Sequence, residues 1–230
     1  MNIIVFGRLI AISLIITVLV ACGGSQPERM RPFAASPNLS VDLRDGSYLR
    51  QLRTVFAAPI YLNQQLLVER PELGRLYLEI VEVARAELGV ELKSLEVKEG
   101  QSGLEYVAIR GASGDAPAVQ LARESGSQAV LISRLNIYQA RKGSSLGAEQ
   151  GAHVQFVLTL KDVESGQEIW IANYNYRDKA VTDDLLALPN KFEGTGQRGA
   201  GWQSVEEIFR SGLSQSFQNL SALRQREFSA

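Results

Sequence analysis

The sequence contains only one cysteine and one histidine in 230 residues. A single cysteine cannot form an internal disulfide. One cysteine and one histidine also cannot supply the three or four protein ligands that a usual zinc site requires. The sequence therefore predicts no metal site and excludes much thiol chemistry.

A surplus of basic charge is also missing. The 24 Lys and Arg residues are balanced by 25 Asp and Glu residues, which gives a formal charge of −1. Proteins that bind nucleic acid neutralise phosphates with excess Lys and Arg, so we predict no nucleic-acid partner. Hydrophobic residues make up 45% of the chain, enough to bury one substantial core in a single domain.

The apolar run near the amino terminus is short. Leu9 to Val20 is an uncharged stretch of twelve residues preceded by Arg8. A helix that crosses a bilayer needs about 20 apolar residues, whereas the core of a signal peptide needs fewer. This run therefore predicts a signal peptide that is removed.

Residues Leu19-Val20-Ala21-Cys22 resemble the bacterial lipoprotein signal, in which small residues precede an acylated cysteine. The resemblance implies cleavage before Cys22 and attachment of fatty acyl groups such as palmitate. Gly23, in place of Asp, implies the periplasmic face of the outer membrane. We predict a signal peptide over residues 1–21, an acylated tether over 22–40 and a periplasmic domain over 41–230. An ordinary secretory signal with a stray thiol is the alternative.

The segment that follows Cys22 predicts a tether. Residues 23–38 read GGSQPERMRPFAASPN, with three prolines and little periodicity. Sixteen residues reach at most ~55 Å when fully extended. The domain is therefore expected close to the bilayer.

The remaining residues alternate between strand-like and helix-like patterns. Strands are predicted at Arg53–Leu62, Val90–Val97, Ala129–Tyr138, His153–Lys161 and Glu168–Tyr176, with an added edge strand within 102–111. Helices are predicted from Pro71 to Leu88, from Asp115 to Gly126 and from Ser204 onward. The order β-α-β-α-β-β-β-α predicts an α+β fold, with a single mixed β-sheet covered by helices.

Local signals mark the ends of these elements. Ser204 to Glu207 reads as a capping box, and Asp115 reads as a helix cap. Gly126 follows the second helix as a stop. Gly166 stands in the turn between the last two strands, where a positive φ is needed.

Two segments resemble a family of envelope proteins. They are LARESGSQAVLIS from Leu121 and FVLTLKDVESGQEIW from Phe156. The family includes the amino-terminal domain of the Tol translocation protein and the penicillin-binding-protein activator, curli-secretion and Pel polysaccharide-export lipoproteins. The resemblance covers Arg53 to Tyr176 and implies an accessory protein of the envelope. The chain after Asp178 departs from it.

Motifs that carry catalysis or cofactors are weak. Gly194 to Gly199 spells GxGxxG, but no clear strand precedes it and the segment predicts a loop. His153 begins a strand without a nucleophile in any motif beside it. The pairs Asp183-Asp184 and Glu206-Glu207 are adjacent in sequence, a spacing that suits helix capping better than acid–base work. We predict no catalytic set and no cofactor.

Two groups of residues could bind a partner. The first lies in a long connection after Asp178 and comprises Leu185, Leu186 and Phe192. The second is the alternating row Trp170, Tyr174 and Tyr176. The first group could instead cover the sheet, and the aromatic row could be buried under the last helix. Gln139 to Gly151 predicts a further long loop.

We therefore predict a lipid-anchored protein that binds other envelope proteins or its own copies in export, secretion or cell-wall synthesis. Copies of this protein could assemble into a ring, although the sequence shows no added amphipathic strands of the kind that a membrane pore needs. The alternatives are an envelope hydrolase that uses His153 or a loop carboxylate, and a carrier of a small apolar ligand.

Overall fold

The structure is a computed structural model that describes residues 36–63, 65–66, 70–95, 108–110, 114–144, 147–178 and 203–229. The strands are β1 (Leu39–Leu43), β2 (Thr54–Ala57), β3 (Ile60–Leu62), β4 (Glu91–Ser94), β5 (Ala108–Arg110), β6 (Ala129–Gln139), β7 (Lys142–Ser144), β8 (Gly147–Gln150), β9 (His153–Asp162) and β10 (Glu168–Arg177). The helices are α1 (Gly46–Gln51), α2 (Arg70–Leu88), α3 (Ala116–Glu124) and α4 (Val205–Ser229).

One mixed sheet organises the domain. Its main path runs β1-β10-β9-β6-β2-β4, with β3 between β5 and β6. β6 pairs in parallel with β2 and then with β3, and pairs antiparallel with β9 along its other edge. The first five residues of β6, AVLIS, are all buried. This is the composition expected of a strand covered on both faces.

Helices cover the two faces unequally. On one face, α1, α2 and α4 enclose the larger core, which includes Trp170, Tyr77, Phe156 and Phe209. On the other face, α3 packs Ala118 and Ala122 against a smaller cluster under β2, β3 and β6. The predicted α+β fold, with a mixed sheet covered by helices, is confirmed.

Several predicted elements differ in detail. The strand predicted at Arg53–Leu62 is two short strands, because Pro59 has no N–H to donate and the chain shifts between two parts of β6. The structure also contains β1 and α1, where no element was predicted. Asp45 begins α1 by accepting a hydrogen bond from Tyr48 N at 3.0 Å. The long loop predicted from Gln139 to Gly151 contains the small hairpin β7–β8.

The predicted caps have different outcomes. The capping box is confirmed, since Ser204 N donates to Glu207 Oε2 at 2.9 Å and Glu207 N donates to Ser204 Oγ at 3.1 Å. Gly166 has the expected positive φ of 71°. Asp115 occupies the N-cap position of α3, but its side chain makes no capping bond. That side chain forms ion pairs with Arg134 and Lys161 instead, which satisfy its charge more fully.

A single guanidinium fastens α4 to the ends of two other helices. Arg224 Nη1 donates to Leu88 O at 2.9 Å and Gly89 O at 3.1 Å, at the carboxyl end of α2. Its Nε donates to Leu49 O at 3.2 Å and its Nη2 to Leu52 O at 3.0 Å, at the end of α1. Carbonyls at helix ends have no partners within the helix, so one cation satisfies several of them.

Replacing Arg224 with Met should lower the free energy of unfolding by about 2 to 4 kcal/mol, because the aliphatic stem remains but the carbonyls lose a charged donor. Urea denaturation measures this difference. Arg85→Met, at an exposed position of α2, is the control and should change stability by no more than about 0.5 kcal/mol. Equal effects of the two substitutions would contradict the role given to Arg224.

Candidate functional site

Of the described helices, only α3 packs on the sheet face opposite α2 and α4. We call the part of this face on β1, β9 and β10 the open face. Gln155 lies between Ile137 and Asn175 in the register, and Val157 lies beside Asn173. Among the described residues of this face, Asn173 and Asn175 are exposed and Gln155 and Val157 are half-buried. Successive side chains of a strand point to opposite faces of the sheet, so the polar side chains of β9 and β10 point away from the core.

A chain of ion pairs crosses one end of the open face. Asp115 pairs with Arg134, and its Oδ2 lies 2.5 Å from Lys161 Nζ. Lys161 Nζ lies 3.7 Å from Glu168 Oε1, and Glu168 Oε2 lies 2.6 Å from Arg44 Nη1. These charges face each other and are largely neutralised within the protein. The ion pairs tie the start of α3 to β6, β9, β10 and the end of β1.

A pocket lies at the edge of the sheet, where β6 extends beyond β3. Asn63 N donates to Leu135 O at 3.1 Å, after which the chain turns away from β6. The pairing of β6 with β9 shifts register between Leu135 and Ile137, so Asn136 forms a bulge. The pocket has a volume of about 550 Å³, within the usual range for small-ligand sites of roughly 300 to 1,000 Å³.

Carboxamides dominate the lining of this pocket, which we call the amide pocket. Its lining residues are Asn63, Gln65, Leu66, Asn136, Ile137, Tyr138, Gln139 and Gln155. Asn63 Oδ1 accepts a hydrogen bond from Gln65 N at 3.1 Å, which fixes the turn after β3. The described residues offer no hydrogen-bond partner to the side chains of Gln65, Asn136, Gln139 and Gln155. Their donors and acceptors are therefore available to a ligand.

Sequence reasoning did not identify this pocket. It placed Gln155 on the polar side of β9, which the structure confirms. The other lining residues come together only because β3 ends four residues before Leu66 and β6 carries a bulge. The strand end at Leu62 agrees with the predicted strand, whereas the bulge had no local signal in the sequence.

His153, the residue on which a hydrolase would depend, is half-buried at the start of β9. Its Nε2 lies 3.0 Å from Asn175 Oδ1. An amide can orient an imidazole but cannot stabilise an imidazolium as a carboxylate does. The geometry therefore provides a hydrogen-bonding group on the open face and no described acid–base pair around His153.

The aromatic row is mostly buried, which corrects its interpretation as an exposed recognition surface. Trp170 and Tyr174 are 0% and 2% exposed, and Tyr176 is half-buried. Tyr174 stacks on Phe156 with ring centroids 5.0 Å apart. Burial raises the pKa of Tyr174 to about 12. Gly212 brings the backbone of α4 close to the Tyr174 ring. The row is therefore buried under the last helix, which was the alternative interpretation.

Other predicted site residues lie outside the described residues. They are Cys22, Leu185, Leu186 and Phe192, together with Asp183, Asp184 and the GxGxxG segment. Within the described part of the chain, no group of three or more His, Cys, Asp or Glu side chains could hold a metal ion. No helix among the described residues is long and apolar enough to cross a membrane.

No protein-family model matches the sequence, and no curated protein matches it either. The PelC dodecamer from Paraburkholderia phytofirmans is similar in structure, with 14% identity, a TM-score of 0.48, and coverage of 80% of this chain and 97% of that chain. Lipoprotein GNA1162 from Neisseria meningitidis has 18% identity and a TM-score of 0.37, covering 62% of this chain and 99% of that chain. The LpoB C-terminal domain from Escherichia coli has 13% identity and a TM-score of 0.31, covering 55% of this chain and 83% of that chain.

These names include a lipoprotein and PelC, which agrees in part with the resemblance seen in the sequence. The identities are below 25% and the TM-scores below 0.5. The similarities therefore carry no argument about function, which rests on this chain's own residues.

Replacing Gly212 with Ala tests the contact that buries the aromatic row. A Cβ at this position would lie 2.6 Å from Tyr174 Cε1. Overpacking should cost about 1 to 3 kcal/mol and outweigh the roughly 1 kcal/mol that Ala gains over Gly in a helix. Thermal unfolding of Gly212→Ala should therefore show lower stability, with Ser221→Ala on the same helix as the control. Increased stability of Gly212→Ala would show that the helix does not approach Tyr174 this closely.

Proposed function

We propose that this protein is a lipid-anchored accessory protein of the bacterial cell envelope, held at the periplasmic face of the outer membrane and acting by binding. The observation that carries the proposal is the sequence Leu19-Val20-Ala21-Cys22 directly after a twelve-residue apolar run. Only the thiol of Cys22 can form the thioether bond to a diacylglyceryl group. More than one acyl chain gives stable anchoring, since a single chain holds a protein only marginally.

The anchor would set where the folded domain acts. β1 begins at Leu39, so sixteen residues separate Cys22 from the sheet. Tethering raises the effective concentration of the domain near other proteins in the same membrane. A binding function gains from this effect without any catalytic group.

The described side chains also favour binding over catalysis. Hydrogen-bonding amides line the pocket and the open face, and His153 contacts an amide. An apolar carrier would need an apolar cavity, whereas the amide pocket is lined mainly by carboxamides. We propose that Leu185, Leu186 and Phe192 contribute to the surface that contacts envelope proteins or further copies of this chain.

Substitution of Cys22 tests the anchor. Cells fed radiolabelled palmitate should label the wild-type protein, and Cys22→Ser should remove the label completely because a hydroxyl cannot form the thioether. Ser25→Ala, three residues away, should leave labelling unchanged. An unlabelled wild-type protein, or one that fractionates as freely soluble, would refute the lipid anchor.

A further inference from the structure

We propose that the amide pocket is a binding site for an uncharged oligosaccharide. Five of its eight lining side chains are carboxamides. Each carboxamide presents an oxygen that accepts and an NH₂ group that donates, side by side in one plane. Neighbouring hydroxyl groups of a sugar ring, each both donor and acceptor, match that arrangement.

Apolar groups complete the site. Leu66 and Ile137 line the same pocket, and both are half-buried. Ligand sites typically combine an apolar wall with a few placed polar groups. The C–H face of a sugar ring can pack on the apolar side chains while its hydroxyl groups bond the amides.

The absence of charge selects against ionic ligands. None of the eight described lining residues is acidic or basic. The ion-pair chain of Arg134, Lys161, Asp115 and Glu168 lies elsewhere on the face, with its charges paired to each other. The charged groups nearest to Tyr138 are Arg75, Glu72 and Glu206, and Arg75 is already paired with both carboxylates. A carboxylate or phosphate group would therefore find no cation among the lining side chains to offset its loss of water, which costs free energy.

The backbone around the pocket disfavours a peptide that adds as an extra strand. β9 is paired on both edges, by β6 and by β10. The bulge at Asn136 breaks the regular alternation of N–H and C=O groups along β6 where an added strand would have to pair. Recognition must therefore come from side chains, which suits a sugar better than an extended main chain.

This inference deepens the binding role proposed above and does not depend on the lipid anchor. A wild-type protein that takes up no palmitate label would refute the anchor and leave the pocket untouched. Failure of sugar binding would refute the pocket and leave the anchor untouched.

Isothermal titration of the purified full-length protein in detergent tests the site. The probes are three uncharged hexasaccharides (cellohexaose, maltohexaose and N-acetylchitohexaose), a hexamer of galacturonic acid and a neutral hexapeptide. At least one uncharged hexasaccharide should bind, and the acidic hexamer and the peptide should not. Gln155→Ala and Gln139→Ala should each weaken that binding about tenfold, the loss expected for about one or two hydrogen bonds.

Two further variants separate a lost contact from a lost fold. Gln155→Glu keeps the shape of the side chain but removes its NH₂ donor, so it should weaken binding as Gln155→Ala does. Asn173→Ala removes an exposed amide of the open face that does not line the pocket, and it should bind like the wild type. All variants should keep the wild-type unfolding midpoint, because the side chains of Gln139 and Gln155 have no hydrogen-bond partner among the described residues and Asn173 is exposed.

Three results would overturn the proposal. The first is that none of the uncharged hexasaccharides binds. The second is binding that Gln155→Ala and Asn173→Ala weaken equally. The third is binding of the peptide or the acidic hexamer at the same residues in place of the sugars.

Discussion

The two-sided pairing of β6 is the constraint on which the rest of the structure depends. Its first half is held by parallel β2 and β3 on one edge and by antiparallel β9 on the other. Parallel neighbours require crossover connections, and these place α2 and α3 on opposite faces of the sheet. The antiparallel hairpin β9–β10 needs only a tight turn at Gly166 and leaves one of its faces uncovered by the described helices.

The amide pocket follows from the length of β6. β3 pairs with β6 only up to Leu135, whereas β6 continues to Gln139, so the end of β6 extends past its parallel neighbour. The bulge at Asn136 then turns polar side chains toward the space that β3 leaves. On the opposite face, Arg224 and the contact of Gly212 with Tyr174 hold α4 against the sheet. A rigid scaffold thus carries polar groups whose hydrogen bonds are not used by the fold.

Patterns of local origin could be predicted from the sequence. The alternation in β9, the turn at Gly166 and the capping box at Ser204 depend on neighbouring residues, and all three are found. Long-range contacts could not be predicted. β1 forms because Leu39 to Leu43 pair with β10, more than a hundred residues away, and its short sequence carries no strong strand pattern. The Asp115 side chain does not cap α3 but pairs with Arg134 and Lys161, which come close to it only in the folded sheet.

The central claim is that the protein acts by binding while a lipid holds it beside the membrane. Photo-crosslinking in living cells tests this claim most directly, with a benzophenone amino acid in place of Phe192 and, as the control, in place of exposed Gln167. The account predicts discrete adducts with an envelope protein or a second copy of the chain at position 192 only, and their loss when Cys22 is also replaced by Ser. No adduct at 192, or adducts that persist unchanged without Cys22, would contradict it.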